Sequence, residues 1–360
     1  MTQGERQRVV IGTYTHHDGA SRDEGIFVFA LDPASGRLEV EAIFSGVVNP
    51  SYLALAGDVL YAVIEEEEFA GVPGGGLSAL RLTEPPLRAA LINAQPTHDS
   101  WPCHLTVSPS GRWVLVANYG SGLTVLPIRA DGGLGEAACI VRQQGRSVHP
   151  ERQDAPHAHS ITFDPSGRWV IAADLGLDRL LIYRLDEATG QLVPNDPPWA
   201  EAEPGAGPRH VVFHPDGRWL YAINELTSTV TSYAFDAARG TLTPAHSAAI
   251  LPDDFTAEST AAAIRLAPSG RFLYASNRGY DGIAVFALDA ETGGLTRLAL
   301  TPTGGKTPRD FALDPSGRCL VAANQNSDSL VTFHVDAATG LLTLTGVQIE
   351  IPRPVAVLMA

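Results

Sequence analysis

Apolar and polar residues alternate along most of the chain, in short runs that end at glycine, proline, asparagine or aspartate. A period of two, rich in β-branched and aromatic residues, predicts β strands and leaves almost no helical window. One motif recurs: Pro-Ser/Asp-Gly-Arg, alternating apolar residues, then Asn or Asp. Its copies begin at prolines 56, 50, 53 and 47 residues apart, a spacing typical of repeated four-stranded units. The five full copies are 109–118, 165–174, 215–224, 268–277 and 315–324.

Two further motifs each occur seven times, which sets the number of repeats. One is an alternating strand that ends in a hairpin turn; the other, as in Gly207-Pro208-Arg209-His210, leads into a short apolar run. They predict an all-β fold: a seven-bladed β-propeller with four antiparallel strands per blade, a (innermost) to d (outermost), as one domain over residues 1–360. The N-terminal strands b, c and d, from residue 9, are expected to pair with a C-terminal strand a at residues 355–358 and so close the ring.

Alternating strand directions place the a–b turns on one face and the d–a and b–c connections on the other. The Pro-Ser-Gly-Arg turn is nearly unchanged between blades, which predicts a structural role for its arginines. The opposite connections carry unlike ionisable groups, and we expect these to meet at the mouth of the central channel as the functional site. These residues are His104, His157, His159, Arg209, His210, Arg309, Asp310 and Arg353 before strand a, and Tyr119, Asp174, Glu225, Arg278 and Gln325 after strand b.

Each candidate also has a purely structural explanation. A histidine before a strand often hydrogen-bonds a turn, and Glu225 can pair with a neighbouring arginine. Buried arginines can join two blades through ion pairs. The acidic run at residues 65–68 is interpreted as a solvated loop, and the basic loop at residues 142–154 as a candidate lid over the mouth.

Composition narrows the classes of partner. The 360 residues are 44% hydrophobic and 18% charged, with 25 Lys+Arg against 40 Asp+Glu and a formal charge of −15. Without a basic face, this balance argues against a nucleic-acid or anionic-membrane partner. Cys103, Cys139 and Cys319 have no CxxC spacing and are expected to be buried thiols. A polar start and the lack of a long apolar run predict a cytoplasmic protein, as a monomer or weak homodimer.

Arginine is concentrated at the predicted mouth although the chain as a whole is acidic. Guanidinium groups bind carboxylate or phosphate through paired hydrogen bonds, so the expected ligand is a small anion. The sequence has no glycine-rich phosphate loop, HExxH, CxxC or GxSxG motif, and neither a metal nor a cofactor is predicted. The remaining His, Glu and Arg suit direct attack of water on an ester-like carbonyl.

Several motifs together resemble the seven-bladed propeller lactonase family over essentially the whole chain. They include Pro156-His157-Ala158-His159, Gly207-Pro208-Arg209-His210, Asn224-Glu225-Leu226, Ser276-Asn277-Arg278-Gly279 and Pro308-Arg309-Asp310-Phe311. The resemblance implies 6-phosphogluconolactonase activity, and the family also contains the fungal carboxymuconate cyclase. The catalytic groups proposed for that relative would fall here on His159, Arg209, Glu225 and Arg278. The chain departs from the pattern at Thr260-Ala261-Ala262-Ala263, which carries no ionisable group.

The sequence therefore predicts a carboxylic-ester hydrolase that opens a small anionic sugar lactone, with 6-phospho-glucono-1,5-lactone as the first choice. Glu225 or His159 would take a proton from water, and Arg209 or Arg278 would stabilise the oxyanion. Two other classes remain open: a muconolactone cycloisomerase with the same residues, and a propeller that only binds. A calcium-dependent lactonase would need more carboxylate ligands than are present. The residues expected to bind substrate are His104, His157, Asp174, His210, Arg309 and Gln325.

Overall fold

The computed structural model describes residues 7–17 and 19–360, and these form seven four-stranded antiparallel sheets around a central channel. Residues 1–6 of the expected polar start lie outside the described part. Each innermost strand contacts the innermost strands of the two neighbouring blades, so the sheets follow one another in a closed ring. The predicted fold class and blade number are confirmed.

Strands follow chain order from the axis outward, except that blade 1 takes its innermost strand from the C-terminus. The connections between strands contain two short two-stranded ribbons and one 3₁₀ turn. The ribbons are His16–His17 with Ala20–Ser21 and Glu68–Phe69 with Val72–Pro73, and the turn is Gln325–Ser327. The blades are Pro354–Met359, Gln7–Thr13, Glu24–Asp32, Arg37–Ser45 (blade 1); Leu53–Ala56, Val59–Ile64, Gly76–Thr83, Arg88–Pro96 (blade 2); Pro102–Val107, Trp113–Asn118, Gly122–Pro127, Cys139–Arg142 (blade 3); Ala158–Phe163, Val170–Asp174, Arg179–Leu185, Leu192–Glu201 (blade 4); Pro208–Phe213, Trp219–Asn224, Thr229–Asp236, Thr241–Ala249 (blade 5); Thr260–Leu266, Phe272–Arg278, Gly282–Leu288, Leu295–Pro302 (blade 6); and Pro308–Leu313, Cys319–Asn324, Ser329–Val335, Leu342–Glu350 (blade 7).

Blade 1 closes the ring as the sequence predicts. The C-terminal strand pairs with the first strand in antiparallel register, with Val9 opposite Met359 and Ile11 opposite Val357. Because the C-terminal strand completes the sheet that the N-terminal strands begin, the two ends of the chain are hydrogen-bonded to each other and close the ring. The two innermost strands of blade 1 thus come from opposite ends of the chain.

A repeated contact between an aromatic ring and a glycine joins neighbouring blades. Trp169 follows the Pro-Ser-Gly-Arg turn of blade 4, is fully buried, and donates its indole N–H to the carbonyl of Ala237 in the c–d turn of blade 5 (2.9 Å). Gly240 of that turn has φ +68°, and a Cβ there would lie 2.4 Å from the Trp169 ring. The same contact recurs between blades 3 and 4, 5 and 6, and 6 and 7. The pairs are Trp113 with Gly190, Trp219 with Gly293, and Phe272 with Gly340.

The repeated arginines support the same junction. Arg112 pairs with Glu187 (3.0 Å) in the next blade's c–d turn, and Arg218 donates to the carbonyl of Ala290 (2.9 Å). Arg271 likewise donates to the carbonyl of Ala337 (2.5 Å). The structural role predicted for these arginines is confirmed at the three blade junctions. This face of the disc is therefore occupied by features that serve every blade.

Candidate active site

A cavity of about 360 Å³ opens on the opposite face, where the b–c and d–a connections of several blades meet. Most of its walls come from residues at or just after the end of strand b and at or just before the start of strand a, and Arg152 is contributed by a loop. The predicted face is therefore the one that carries the cavity. Its lining residues are Tyr14, Glu65, Trp101, Cys103, Tyr119, Arg152, His159, Glu225, Arg278 and Arg309.

A β-bulge at the start of the innermost strand determines which side chain reaches this site. In blades 3, 4, 5 and 7 the pairing register shifts at the second residue of strand a. The bulged residues are Cys103, His159, Arg209 and Arg309. A bulge re-aims a side chain that regular pleating would direct elsewhere. The same irregularity, repeated in four blades, brings a thiol, an imidazole and two guanidinium groups to the site.

Glu225 is the electrostatic centre of the site. It follows strand b of blade 5, is 3% exposed, and is surrounded by three guanidinium groups. Its Oε2 lies 3.0 Å from Nε of Arg209 and 3.0 Å from Nη2 of Arg278, while Oε1 pairs with Nη2 of Arg152. Burial would raise the pKa of Glu225, but the charges of Arg278 and Arg209 outweigh it and hold that pKa well below its usual range. Glu225 is therefore a fixed carboxylate.

Arg209 lies beneath this carboxylate and is 2% exposed. Its Nη1 donates to the carbonyl of Ala262 (2.6 Å) and lies 3.1 Å from Nε2 of His210. Burial, with the charges of Arg278 and Arg309, lowers the pKa of Arg209 to about 10, so the group still carries its charge at neutral pH. Its Nε is buried and lies within ion-pair distance of Glu225, although it makes no hydrogen bond within the part of the chain that the structure describes.

Arg278 and Arg309 are nearer the open part of the cavity. Nη2 of Arg278 donates to the carbonyl of Ala261 (2.8 Å) in addition to its ion pair with Glu225. Its Nε is buried and has no acceptor within the part of the chain that the structure describes. The guanidinium of Arg309 lies over the ring of Tyr14, 5.4 Å from its centroid. Both arginines thus retain donors that can face a ligand.

The apolar segment of blade 6 contributes to the site through its backbone. Residues 260–263 carry no ionisable side chain that could act in the site. The carbonyls of Ala261 and Ala262 accept hydrogen bonds from Arg278 and Arg209, respectively. Small side chains here leave room for the two guanidinium groups to approach the strand.

His159 is a neutral imidazole on the cavity wall. It is 5% exposed, and its Nδ1 lies 3.7 Å from Sγ of Cys103. Burial, and after it the charge of Arg209, holds the pKa of His159 well below its usual range. His157 lies behind this wall: its ring stacks on Tyr119 with centroids 4.2 Å apart, and its Nδ1 is 2.7 Å from the carbonyl of Tyr119. The two histidines thus occupy different layers.

Three other predicted ligands lie away from the cavity walls. His104 and His210 point into the central channel, where the His104 ring stacks on Tyr52 (4.0 Å) and lies 5.3 Å from the His210 ring. Gln325 begins the 3₁₀ turn, half-buried, with its N–H bonded to the carbonyl of Thr307 (2.9 Å). None of the three lines the cavity, so their predicted contact with substrate finds no support in this geometry.

Asp174 is the fifth predicted ligand that the cavity does not include, after His157, His104, His210 and Gln325. It is fully buried at the end of strand b in blade 4, where its Oδ1 accepts the N–H groups of His157 (2.8 Å) and Leu177 (3.0 Å). Four other blades carry Asn at the equivalent position: Asn118, Asn224, Asn277 and Asn324. Of these amides, Asn277 likewise accepts an N–H group of its turn, that of Tyr280 (3.1 Å).

We expect Asp174→Asn to stabilise the fold at neutral pH. Burial raises the pKa of Asp174 to about 6, above the ordinary 3.8, so the folded state binds the proton more tightly than the unfolded state. Its contribution to stability is therefore full at low pH and is lost as the pH rises from about 4 to 6. At pH 7.5 the variant should gain up to about 3 kcal/mol in unfolding free energy, and at pH 4 little. Denaturant titrations at both pH values measure this; a loss of stability at pH 7.5 would contradict it.

Five cavity residues fall outside the group expected at the channel mouth: Tyr14, Glu65, Trp101, Cys103 and Arg152. Tyr14 and Glu65 directly follow strand b in blades 1 and 2, the position that Tyr119 and Glu225 hold in blades 3 and 5. The position directly after strand b was therefore a sequence signal from which Tyr14 and Glu65 could have been predicted as cavity residues. The expectation that Glu65 belongs to a solvated loop is wrong, because its carboxylate faces the cavity.

Arg152 belongs to the basic loop considered as a lid. The loop is tied to blade 4 by hydrogen bonds from Ser147 to Asp178 (2.6 Å) and from Gln153 to the carbonyl of Leu175 (2.8 Å). Arg152 thereby forms a fixed wall. Trp101 forms part of the rim, 39% exposed, with φ +53°. A bulky residue rarely adopts that conformation, although Asn49 and Thr307 share it at the equivalent point of their blades.

Comparison with known proteins identifies the group to which this site belongs. Residues 8–359 match the family described as lactonase, seven-bladed beta-propeller. The chain is 35% identical to the 6-phosphogluconolactonase of Bacillus subtilis over 304 residues, covering 84% of this chain and 83% of that protein. The chain belongs to the seven-bladed β-propeller lactonase family. The relatives named 6-phosphogluconolactonase and gluconolactonase are lactone hydrolases, a class of carboxylic-ester hydrolase, and so is this protein.

Solved structures of two other bacterial proteins agree closely with this one. The Pseudomonas aeruginosa periplasmic gluconolactonase superposes with a TM-score of 0.91 at 33% identity, over 98% of both chains. A protein from Lactobacillus plantarum gives 0.89 at 34% identity over 99% of both. Separately, the described residues form no helix long and apolar enough to cross a membrane.

Proposed function

We propose that this lactonase hydrolyses a small anionic sugar lactone, with 6-phospho-glucono-1,5-lactone as preferred substrate and 6-phosphogluconate as product. The observation that carries the proposal is the charge around the cavity. Four positively charged side chains surround it, against two carboxylates: Arg152, Arg209, Arg278 and Arg309, with Glu65 and Glu225. On a chain of −15, this local positive excess favours an anion. A cavity of about 360 Å³ suits one small ligand.

The arginines suggest a division of roles. Arg278 has a buried, unused Nε donor beside Glu225, which suits stabilisation of the oxyanion that forms at the lactone carbonyl. Arg309, with Arg152, is available for the phosphate. Glu225 acts by holding these groups in place, since both of its oxygens are paired with guanidinium groups, and Arg209, which is 2% exposed, neutralises it from beneath. His159 supplies a neutral hydrogen-bonding group at the wall.

No metal is part of the proposal. Lactones are already activated esters, so oxyanion stabilisation and a base are sufficient. Both oxygens of Glu225 are paired with guanidinium groups, and no group of three or more potential metal ligands occurs among residues 7–17 and 19–360. EDTA is therefore expected to leave turnover unchanged.

We also propose a cytoplasmic location and a monomer or weak homodimer.

A second candidate substrate is the unphosphorylated lactone. The Pseudomonas aeruginosa relative is named a periplasmic gluconolactonase, and the two chains align over nearly their whole length. Muconolactone cycloisomerisation would use the same residues. The three possibilities differ in what the cationic side of the cavity must bind: a phosphate, nothing charged, or a carboxylate.

A substrate panel with and without EDTA tests the proposal. Purified protein is given freshly prepared 6-phospho-glucono-1,5-lactone, glucono-1,5-lactone or a muconolactone; acid release is followed in the first two and ultraviolet absorbance in the third. We expect kcat/KM for the phosphorylated lactone to exceed that for gluconolactone by about 10-fold or more, since a charge-assisted hydrogen bond contributes roughly 1.5–3 kcal/mol. Arg309→Gln should reduce this ratio. Hydrolysis of neither sugar lactone would overturn the proposal, and equal rates would favour an uncharged substrate.

A further inference from the structure

We propose that Glu65 is the general base that activates water in this site. The inference rests on the proposed lactone hydrolysis and assigns one of its steps to a residue outside the set suggested by family resemblance. Glu65 lines the same cavity as Arg278, His159 and Glu225, but it follows strand b of blade 2. Its carboxylate is the cavity's second acidic group.

The other two candidates for the base are poorly suited by their contacts. Glu225 has Arg152 on one oxygen and both Arg209 and Arg278 on the other, so accepting a proton would break several buried ion pairs. His159 is enclosed, in contact with Sγ of Cys103, and a charged imidazole there would face Arg209. In both cases protonation would disrupt the electrostatics that hold the oxyanion site together.

Glu65 has the opposite environment. It is only partly buried, and the hydroxyl of Tyr14 lies 3.0 and 3.1 Å from its two oxygens. A single neutral donor leaves lone pairs that can accept a water molecule. Burial raises the pKa of Tyr14, so its hydroxyl remains protonated and can donate. The charged and titratable groups around Glu65 are Tyr14 from blade 1, Arg309 from blade 7 and Cys103 from blade 3.

The backbone of Glu65 is also held in place. Its N–H donates to the carbonyl of Asn49 (3.3 Å), and the Asn49 side chain donates back to the carbonyl of Glu65 (3.4 Å). Asn49 in turn binds Glu66 (2.8 Å), which keeps the neighbouring carboxylate turned away towards His16. Of this acidic run, Glu65 is the member directed into the cavity. A fixed backbone and one side-chain hydrogen bond are what a positioned base requires.

The step balances without any additional reactant. The Glu65 carboxylate takes one proton from water while the water oxygen bonds to the lactone carbonyl carbon, and the carbonyl electron pair moves onto its oxygen beside Arg278. When that oxyanion collapses, the bond from the carbon to the ring oxygen breaks, and protonated Glu65 returns its proton to the ring oxygen. The product is an open-chain hydroxy acid, which then releases a proton to solvent. Glu65 ends as it began.

The test compares Glu65→Gln with Glu67→Gln, an exposed neighbour in the same acidic run. We expect Glu65→Gln to lower kcat about 10²- to 10⁴-fold, with KM changed only a few-fold, and to remove the acid limb of the pH profile after spontaneous hydrolysis is subtracted. Glu67→Gln should behave as the unmodified protein. Formate should restore part of the activity of Glu65→Ala, because a small carboxylate can occupy the vacated space.

The outcomes separate this inference from the proposed function. If the unmodified protein hydrolyses the lactone and Glu65→Gln remains within a few-fold of it, the base is another group and only this inference fails. The inference is also overturned if Glu65→Gln has a low rate but retains the acid limb of the pH profile, and formate does not restore activity to Glu65→Ala. If the unmodified protein has no lactonase activity, the proposed function itself fails.

Discussion

Replacing Glu225 with glutamine is expected to lower kcat/KM by about 10³-fold or more and to destabilise the fold. The carboxylate neutralises Arg209 and orients Arg152 and Arg278, so its loss leaves a buried guanidinium without a counter-charge and releases the oxyanion donor. Removing one oxyanion donor alone typically costs about 10²- to 10³-fold, and breaking a buried ion pair costs about 3–5 kcal/mol. Steady-state kinetics and denaturant unfolding measure the two effects.

The double variant Glu225→Gln, Arg209→Gln separates these contributions. Removing both partners relieves the uncompensated charge, so stability should recover towards that of the unmodified protein while activity stays low. Glu225→Gln that retains activity within 10-fold would mean that Arg278 is held adequately by the Ala261 carbonyl alone. In that case Glu225 would be a stabilising residue with little part in catalysis.

The repeat explains why so much of this architecture could be predicted from sequence. Seven copies of two motifs set the number of blades, and strand alternation assigned the connections to one face or the other. This assignment alone predicted which face carries the cavity. It also predicted that four side chains would converge there: His159, Glu225, Arg278 and Arg309. These conclusions depend on strand order, and the repetition of a pattern determines strand order well.

The details that the sequence did not predict depend on geometry that the alternation of apolar and polar residues does not encode. The bulge at the start of strand a directs Arg209 towards Glu225 and the next residue, His210, into the channel, and residue spacing does not reveal where a bulge falls. The non-repeating loop that carries Arg152 gives no periodic signal. Asp174 was misjudged for a different reason: its carboxylate suggested chemistry, whereas its position matched the Asn of other blades.

Gly240→Ala is expected to lower the unfolding free energy by about 3 kcal/mol or more. Two penalties combine. The residue has φ +68°, where an L side chain costs roughly 1–2 kcal/mol. The new Cβ would also lie 2.4–2.5 Å from the ring of Trp169, which is fully buried and hydrogen-bonded to the same turn. Core overpacking adds about 1–3 kcal/mol.

Gly217→Ala is the matched control, because Gly217 has φ +72° and nothing lies within 4 Å of a Cβ built there. It should carry the backbone penalty alone, so the difference between the two variants measures the contact between blades 4 and 5. Denaturant midpoints of both variants give that difference. Equal losses would mean that the ring-to-glycine contact does not constrain the junction. A larger loss in Gly240→Ala would indicate that this contact fixes the spacing of blades 4 and 5, and hence the distance between Glu225 of blade 5 and Arg152, whose loop is tied to blade 4.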